Sequence, residues 1–313
     1  MPALRFSTCV SDFSSKGRLT LTAAALQLVV SSPIVPATAS VRYSANQSDV
    51  IIVAHQDDWQ VFMGDVITAR IKSGNSVTII YLTAGDDGRD SLYWQTRELA
   101  SLQSTRVAAG MRQTELPLGN CSRAHVRGHA IQECLTSKVK SYFLRLPDGK
   151  RDGAGFARRN YQSLRKLRGG RITAIAAVDG SASYSGWADL TNTVRELIER
   201  APAVGEITIH TTDPSIAVNP HDHFDHRMTG LLVADLRKAR NWNARYYVGY
   251  ALASRAPNRS AGQASEKTAI FLAYDREMVR VNKRWSAYAE HPAFYSQCML
   301  RTYARNAPVL RVR

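Results

Sequence analysis

The heptapeptide PHDHFDH, residues 220–226, places three histidines and two aspartates within seven positions of a chain that holds eight histidines in all. Imidazole nitrogens and carboxylate oxygens are the donors that zinc prefers outside thiolate sites. A second cluster, AHQDD at 54–58, brings His55, Asp57 and Asp58 together. A hydrolytic zinc needs about three protein ligands and an open position for water, whose pKa it lowers from about 16 towards about 7. His55, Asp58 and His226 would supply two nitrogens and an oxygen. Asp57 is then a neighbouring carboxylate free to take a proton from that water. The chemistry requires two segments far apart in the chain to meet.

The surrounding elements give a reason for them to do so. DVIIVAH (49–55) reads as a buried strand and is followed by WQVFMGDVITARIKSG, apolar at helical spacing and stopped by Gly74. SVTIIYLTAG (76–85) and YWQTRELASLQSTRVAAG (93–110) repeat the strand–helix unit. Two such units in succession imply parallel strands with helical crossovers. GEITIHTTD (205–213) is a third apolar strand, RMTGLLVADLRKAR a helix and ARYYVGYAL (244–252) a last strand. In the middle, RAHVRGHAI and KVKSYFLRLP look like a hairpin pair, PDGKRDGAG a loop and WADLTNTVRELIERA an amphipathic helix. The expected fold is α/β: a Rossmann-like open, mostly parallel sheet with helices on both faces and an inserted β-hairpin region. Sites in such sheets form at the carboxyl ends of strands, where both polar clusters fall.

VAHQDDWQVFMGDVI together with DHFDHRMTG resembles the PIG-L/LmbE-type zinc-dependent N-deacetylases, which show an A-H-x-D-D run after the first strand and a late H-x-x-H pair. The resemblance covers roughly residues 49–252. It implies a metal-dependent hydrolase that removes the N-acetyl group of an N-acetylglucosamine-type amino sugar, with one Zn2+ per chain. By position it implies His55, Asp58 and His226 as metal ligands and Asp57 as general base. It also implies His223 as the imidazolium that steadies the oxyanion, with Asp225 orienting it. TAGDDGRD resembles a family loop, so Asp86, Asp87 and Arg97 are expected to line the sugar pocket. Two positions depart from the pattern: Gln56 replaces the usual proline and Trp59 the usual acidic residue. Trp59 reads equally as a sugar-stacking ring or as a core residue opening the helix.

Two rival functions arise from the same residues. His221, His223, Asp225 and His226 spell H-x-H-x-D-H, the dinuclear signature of metallo-β-lactamase-type hydrolases. Those proteins need further ligands downstream, where only His291 follows among histidines, and the reading leaves AHQDD unexplained. The other rival is a non-catalytic glycan-binding protein, disfavoured because every implied ligand and the base are present. A dinucleotide site is excluded by the absence of G-x-G-x-x-G after the first strand. His210, inside an apolar strand, reads as a hydrogen-bonded core histidine, and His125, His129 and His291 have no convergent partners in sequence.

The net charge is +15, and residues 123–171 alone carry 13 Lys and Arg against 3 Asp and Glu. Such a surface suits an anionic carrier for the sugar, while no zinc-finger or aromatic spacing supports specific nucleic-acid recognition. At the N-terminus, basic residues, the apolar run LTLTAAALQLVV and the A-x-A site in PATAS read as an export signal over 1–39, followed by one domain over 40–313. That implies a secreted, periplasmic or extracellular protein with no transmembrane span. In that setting Cys121 and Cys134 are expected to form a disulfide, in preference to a zinc site with His125 and His129, leaving Cys298 unpaired.

Overall fold

The computed structural model describes residues 35–36, 47–111, 120–202 and 205–307. The export signal expected over 1–39 lies outside the described residues except for 35–36. The strands are β1 (Val35–Pro36), β2 (Ser48–Val53), β3 (Ser76–Thr83), β4 (Asn120–Val126), β5 (His129–Thr136), β6 (Val139–Leu146), β7 (Ala174–Ala176), β8 (Ser183–Ser185), β9 (Ile207–Thr212), β10 (Asn243–Tyr247) and β11 (Tyr303–Ala307). The helices are α1 (Asp58–Lys72), α2 (Ser91–Ala108), α3 (Leu164–Arg168), α4 (Gly186–Glu199), α5 (Phe224–Ala239), α6 (Ala261–Val281), α7 (Ala287–Glu290) and α8 (Pro292–Met299).

Among the described residues, nine strands form one sheet in the order β1-β11-β10-β9-β2-β3-β6-β5-β4. The five from β10 to β6 run parallel, and the strands at either edge are antiparallel. Both faces of the sheet are covered, so the central strands read as unbroken apolar runs. Their alternation still decides which layer each residue joins. Ile51, Val53, Ile79 and Tyr81 pack with α1, α6 and α8, while Val50, Ile52, Ile80 and Leu82 pack with α4 and α5.

The middle region is more closely integrated than an insertion. β6 lies parallel to β3 in the main sheet, and β5 and β4 extend it as an antiparallel meander. KVKSYFLRLP is therefore a sheet strand that delivers its own loop to the carboxyl edge. Cys121 and Cys134 face each other across β4 and β5 and are disulfide-bonded. The alternative zinc site there is overturned, because both sulfurs are committed and His129 pairs with Asp189 at 3.2 Å. Cys298 is a free, buried thiol. His210 sits in the core between Asp49 and Tyr247, 2.9 Å from each.

Candidate active site

β2, β3, β6 and β9 end on the same edge, and four loops converge there. The loop after β2 carries His55 and Asp57 and leads to Asp58, the first residue of α1, and the loop after β9 leads through Asp222 and His223 to His226 on the first turn of α5. His223 caps α5, its Nδ1 accepting the Asp225 N–H at 3.2 Å. Thr212 on β9 donates to the His226 carbonyl at 2.9 Å. Gly230 lets α5 lie this close, since a Cβ there would sit 2.4 Å from the Thr212 carbonyl oxygen.

His55, Asp58 and His226 meet in the interior, all three buried. His55 Nδ1 lies 3.2 Å from His226 Nε2 and 3.5 Å from Asp58 Oδ1, and His226 Nε2 lies 3.0 Å from Asp58 Oδ1. A tetrahedral ion with bonds of about 2.0–2.1 Å requires ligand edges of about 3.3–3.4 Å, so shifts of a few tenths of an ångström would bring this triangle to one. The donors are also pre-aimed. Asp222 Oδ1 accepts from His226 Nδ1 at 2.9 Å, which presents Nε2 to the site, and the Asp58 Oδ2 accepts the His55 N–H at 2.8 Å.

His55 turns its other nitrogen, Nε2, towards Asp148 and Asp225, 3.6 Å from each, without a hydrogen-bond partner. Gly149 donates its N–H to Asp225 Oδ2 at 2.7 Å, and a Cβ at this glycine would fall 2.4 Å from Asp225 Oδ1. Burial disfavours charge on His55, yet the carboxylates of Asp58, Asp225 and Asp148 raise it to about 10. Against the same burial, Asp58 and Asp222 hold His226 well above its ordinary value. His223 moves the other way, to about 3, through burial and the positive charge of its two histidine neighbours. Burial and the Asp225 charge push Asp148 up to about 6.

The family model for PIG-L, GlcNAc-PI de-N-acetylase, matches residues 50–236. The chain belongs to the PIG-L family. Solved structures similar to it include N,N'-diacetylchitobiose deacetylase from Pyrococcus horikoshii, 15% identical over 83% of this chain and 84% of that one with a TM-score of 0.44. A triple mutant of the deacetylase of the teicoplanin biosynthetic pathway is 12% identical over 85% and 98%, TM-score 0.46. The A40926 pseudoaglycone deacetylase Dbv21 is 12% identical over 85% and 98%, TM-score 0.45. No curated protein sequence matches the chain.

PIG-L membership makes the protein a metal-dependent amino-sugar N-deacetylase. The dinuclear reading is not supported: His221 adopts a left-handed backbone (φ 57°), is exposed and belongs to neither buried cluster of metal-ligating groups. A cavity of about 950 Å3 opens over the PIG-L site, lined by His55, Asp57, Asp58 and His223 and by Asp87 and Arg97. Two residues expected in the sugar pocket lie elsewhere. Trp59 is fully buried among apolar side chains and donates Nε1–H to the Tyr81 hydroxyl at 2.9 Å, so the core reading holds. Asp86 is also fully buried, accepting from the Asp148 N–H at 2.9 Å and from Arg159 Nε at 2.8 Å, and so props the loop after β6. Arg97 grips Asp57 Oδ1 while its Nε donates to Tyr274 at 2.7 Å. Asp148 and Asp222 were not singled out by sequence reasoning. The signals for them are a PDG turn ending a strand and an aspartate four residues before His226.

Proposed function

We propose that the ion is zinc, held by His55, Asp58 and His226, and that Asp57 is the general base for hydrolysis of an N-acetylglucosamine-type acetamide. The observation that carries this reading is the donor triangle with 3.0–3.5 Å edges beside the Asp57 carboxylate. Zinc there supplies Lewis acidity towards the acetamide oxygen and the attacking water. The other tasks belong to the protein. Arg97 fixes Asp57 through one oxygen. Asp57 takes the proton of the attacking water and returns it to the amine as the C–N bond breaks, giving acetate and a free amino sugar.

His223 enters this scheme through its Nε2. Its Nδ1 accepts the Asp225 N–H at 3.2 Å, which leaves Nε2–H as the donor the ring offers. It therefore donates from Nε2 to the developing oxyanion, the oxyanion-steadying role that the family resemblance implies. Asp225 orients that ring mainly through its backbone N–H, its carboxylate standing 3.8 Å from Nδ1. The basic surface suits an anionic carrier. An exported location is part of the proposal, motivated by the leader-like segment and the disulfide. The test is acetate release from a panel of N-acetylated glycans, with metal analysis of the purified chain. One zinc per chain, turnover lost to chelator and turnover restored by zinc are expected. Undiminished turnover in the chelated protein would sink the reading.

A further inference from the structure

Asp57 occupies the N-cap of α1, where an aspartate ordinarily accepts one of the first helical N–H groups. Its side chain makes no such bond. Among the described residues, the group that holds the carboxylate is the Arg97 guanidinium, at Oδ1. Arg97 is anchored in turn. Its Nη1 donates to the Gly85 carbonyl at 2.9 Å and its Nε to the Tyr274 hydroxyl at 2.7 Å. Gly85 has a left-handed backbone (φ 55°), and a Cβ there would sit 2.7 Å from Arg97 Nη1. A planar guanidinium that shares its donors among Asp57, Gly85 and Tyr274 has its tilt set by those fixed points.

Tyr274 belongs to α6, outside the family-matched residues 50–236. It is buried, packed with Ala100 of α2 and with Met278. Ser104 of α2 donates to the Ile270 carbonyl of α6 at 2.8 Å, so the helix that carries Arg97 and the helix that carries Tyr274 are pinned to each other. We infer that Tyr274 is a positioning residue for the hydrolysis: by accepting from Arg97 Nε, it holds the guanidinium that keeps Asp57 facing the cavity instead of capping α1. The inference rests on the reading of Asp57 as the general base. Two arrangements compete for that carboxylate, the ion pair with Arg97 and the vacant cap of α1. Loosening Arg97 therefore diverts Asp57 to the helix, where its oxygens accept backbone N–H groups and no longer face the attacking water. Tyr274 extends the catalytic apparatus into a helix that the family match does not include.

The experiment measures kcat and KM of the zinc-loaded full chain and of Tyr274→Phe, Arg97→Lys and the double variant on an N-acetylglucosaminide. A hydrogen bond from a charged donor corresponds to about 10- to 150-fold in the population of the geometry it holds. With the Gly85 and Asp57 contacts of Arg97 intact, Tyr274→Phe should fall at the low end, lowering kcat about tenfold with KM and zinc content unchanged. In the Arg97→Lys background the Nε–H is gone, and the same substitution should lower kcat by less than about twofold. Equal losses in the two backgrounds make Tyr274 a merely structural residue and overturn the inference. So does a kcat of Tyr274→Phe within about twofold of the parent, or a raised KM with kcat unchanged. NMR of the arginine Nε–H groups gives a readout that needs no turnover. The Arg97 signal, identified by its loss in Arg97→Lys, should exchange slowly with solvent in the parent and at least about tenfold faster in Tyr274→Phe. Fast exchange in the parent overturns the inference even if Tyr274→Phe does not fold. If no N-acylated sugar is hydrolysed at all, the deacetylase reading fails instead, and the Nε–H exchange alone decides whether Tyr274 holds Arg97.

Discussion

Removing the carboxylate of Asp222 should cripple the metal site without touching a ligand. Asp222 Oδ1 lies 2.9 Å from His226 Nδ1, and the carboxylate is only 5% exposed, so water offers His226 little substitute. In Asp222→Ala the ring loses the acceptor that fixes its tautomer and its orientation. A hydrogen bond to a charged partner is worth about 1.5–3 kcal/mol, which corresponds to about 10- to 150-fold in affinity. Losses on replacing such outer partners in metal sites are typically about 10–100-fold, so a weakening of about that size is expected in zinc affinity. The assay is competition against a chelator of known affinity, followed by acetate release at saturating zinc. Because the same carboxylate accepts the His223 N–H at 2.9 Å, the thermal midpoint of the chelated protein must be compared too. Asp222→Asn keeps an acceptor and should recover part of the loss. A variant Asp222→Ala that binds zinc within twofold of the parent, with an unchanged midpoint, would refute the idea that Asp222 aims His226.

Asp57→Asn should retain zinc and lose turnover by about 10²–10⁴-fold, the usual span for a general base, as read by metal analysis beside acetate release. Trp59→Ala should destabilise the fold by about 3–5 kcal/mol in urea titration, because the ring fills the core beneath α1. A raised KM with unchanged stability would return Trp59 to the sugar pocket. Lys267 gives a pH signature. Burial lowers its pKa to about 8 against 10.5, while its Nζ donates to the carbonyl of Cys298 at 3.0 Å. Between those values the unfolded chain binds more protons than the folded one, so stability rises with pH across that window. Relative to Lys267→Met, the parent should gain about 2 kcal/mol between pH 7.5 and 10 in urea unfolding. A pH-independent difference between the two would contradict the buried ammonium.

The sheet was legible because continuous apolar runs bounded by polar loops leave few alternatives, and β2, β3 and β9 appear where those runs lie. β6 was harder to place. Its sequence, VKSYFLRL, follows a tight turn after β5, so local signals describe a hairpin arm. Its parallel pairing with β3 depends on residues more than fifty positions away, which periodicity does not encode. Misplacing β6 hides what its loop does. Asp148 reaches the site only because β6 ends beside β3, so PDGKRDGAG read as a plain loop.

The same distinction separates the site residues that sequence reasoning reached from those it missed. His55, Asp58 and His226 announce themselves by residue type, since buried imidazole and carboxylate in one cluster have few structural uses. Trp59 and Asp86 carry equally suggestive types, yet each side chain is turned into the protein by one partner: the Tyr81 hydroxyl for Trp59, and the Arg159 guanidinium for Asp86. Residue type therefore identified the chemistry, and burial direction decided which of those residues take part in it. The aromatic side of the cavity is the extreme case. Tyr250, Trp285 and Phe294 belong to three separate short helical segments with no shared motif. Only the packing of the C-terminal segments over the strand ends makes them one surface lining the cavity, and sequence patterns leave that surface unread.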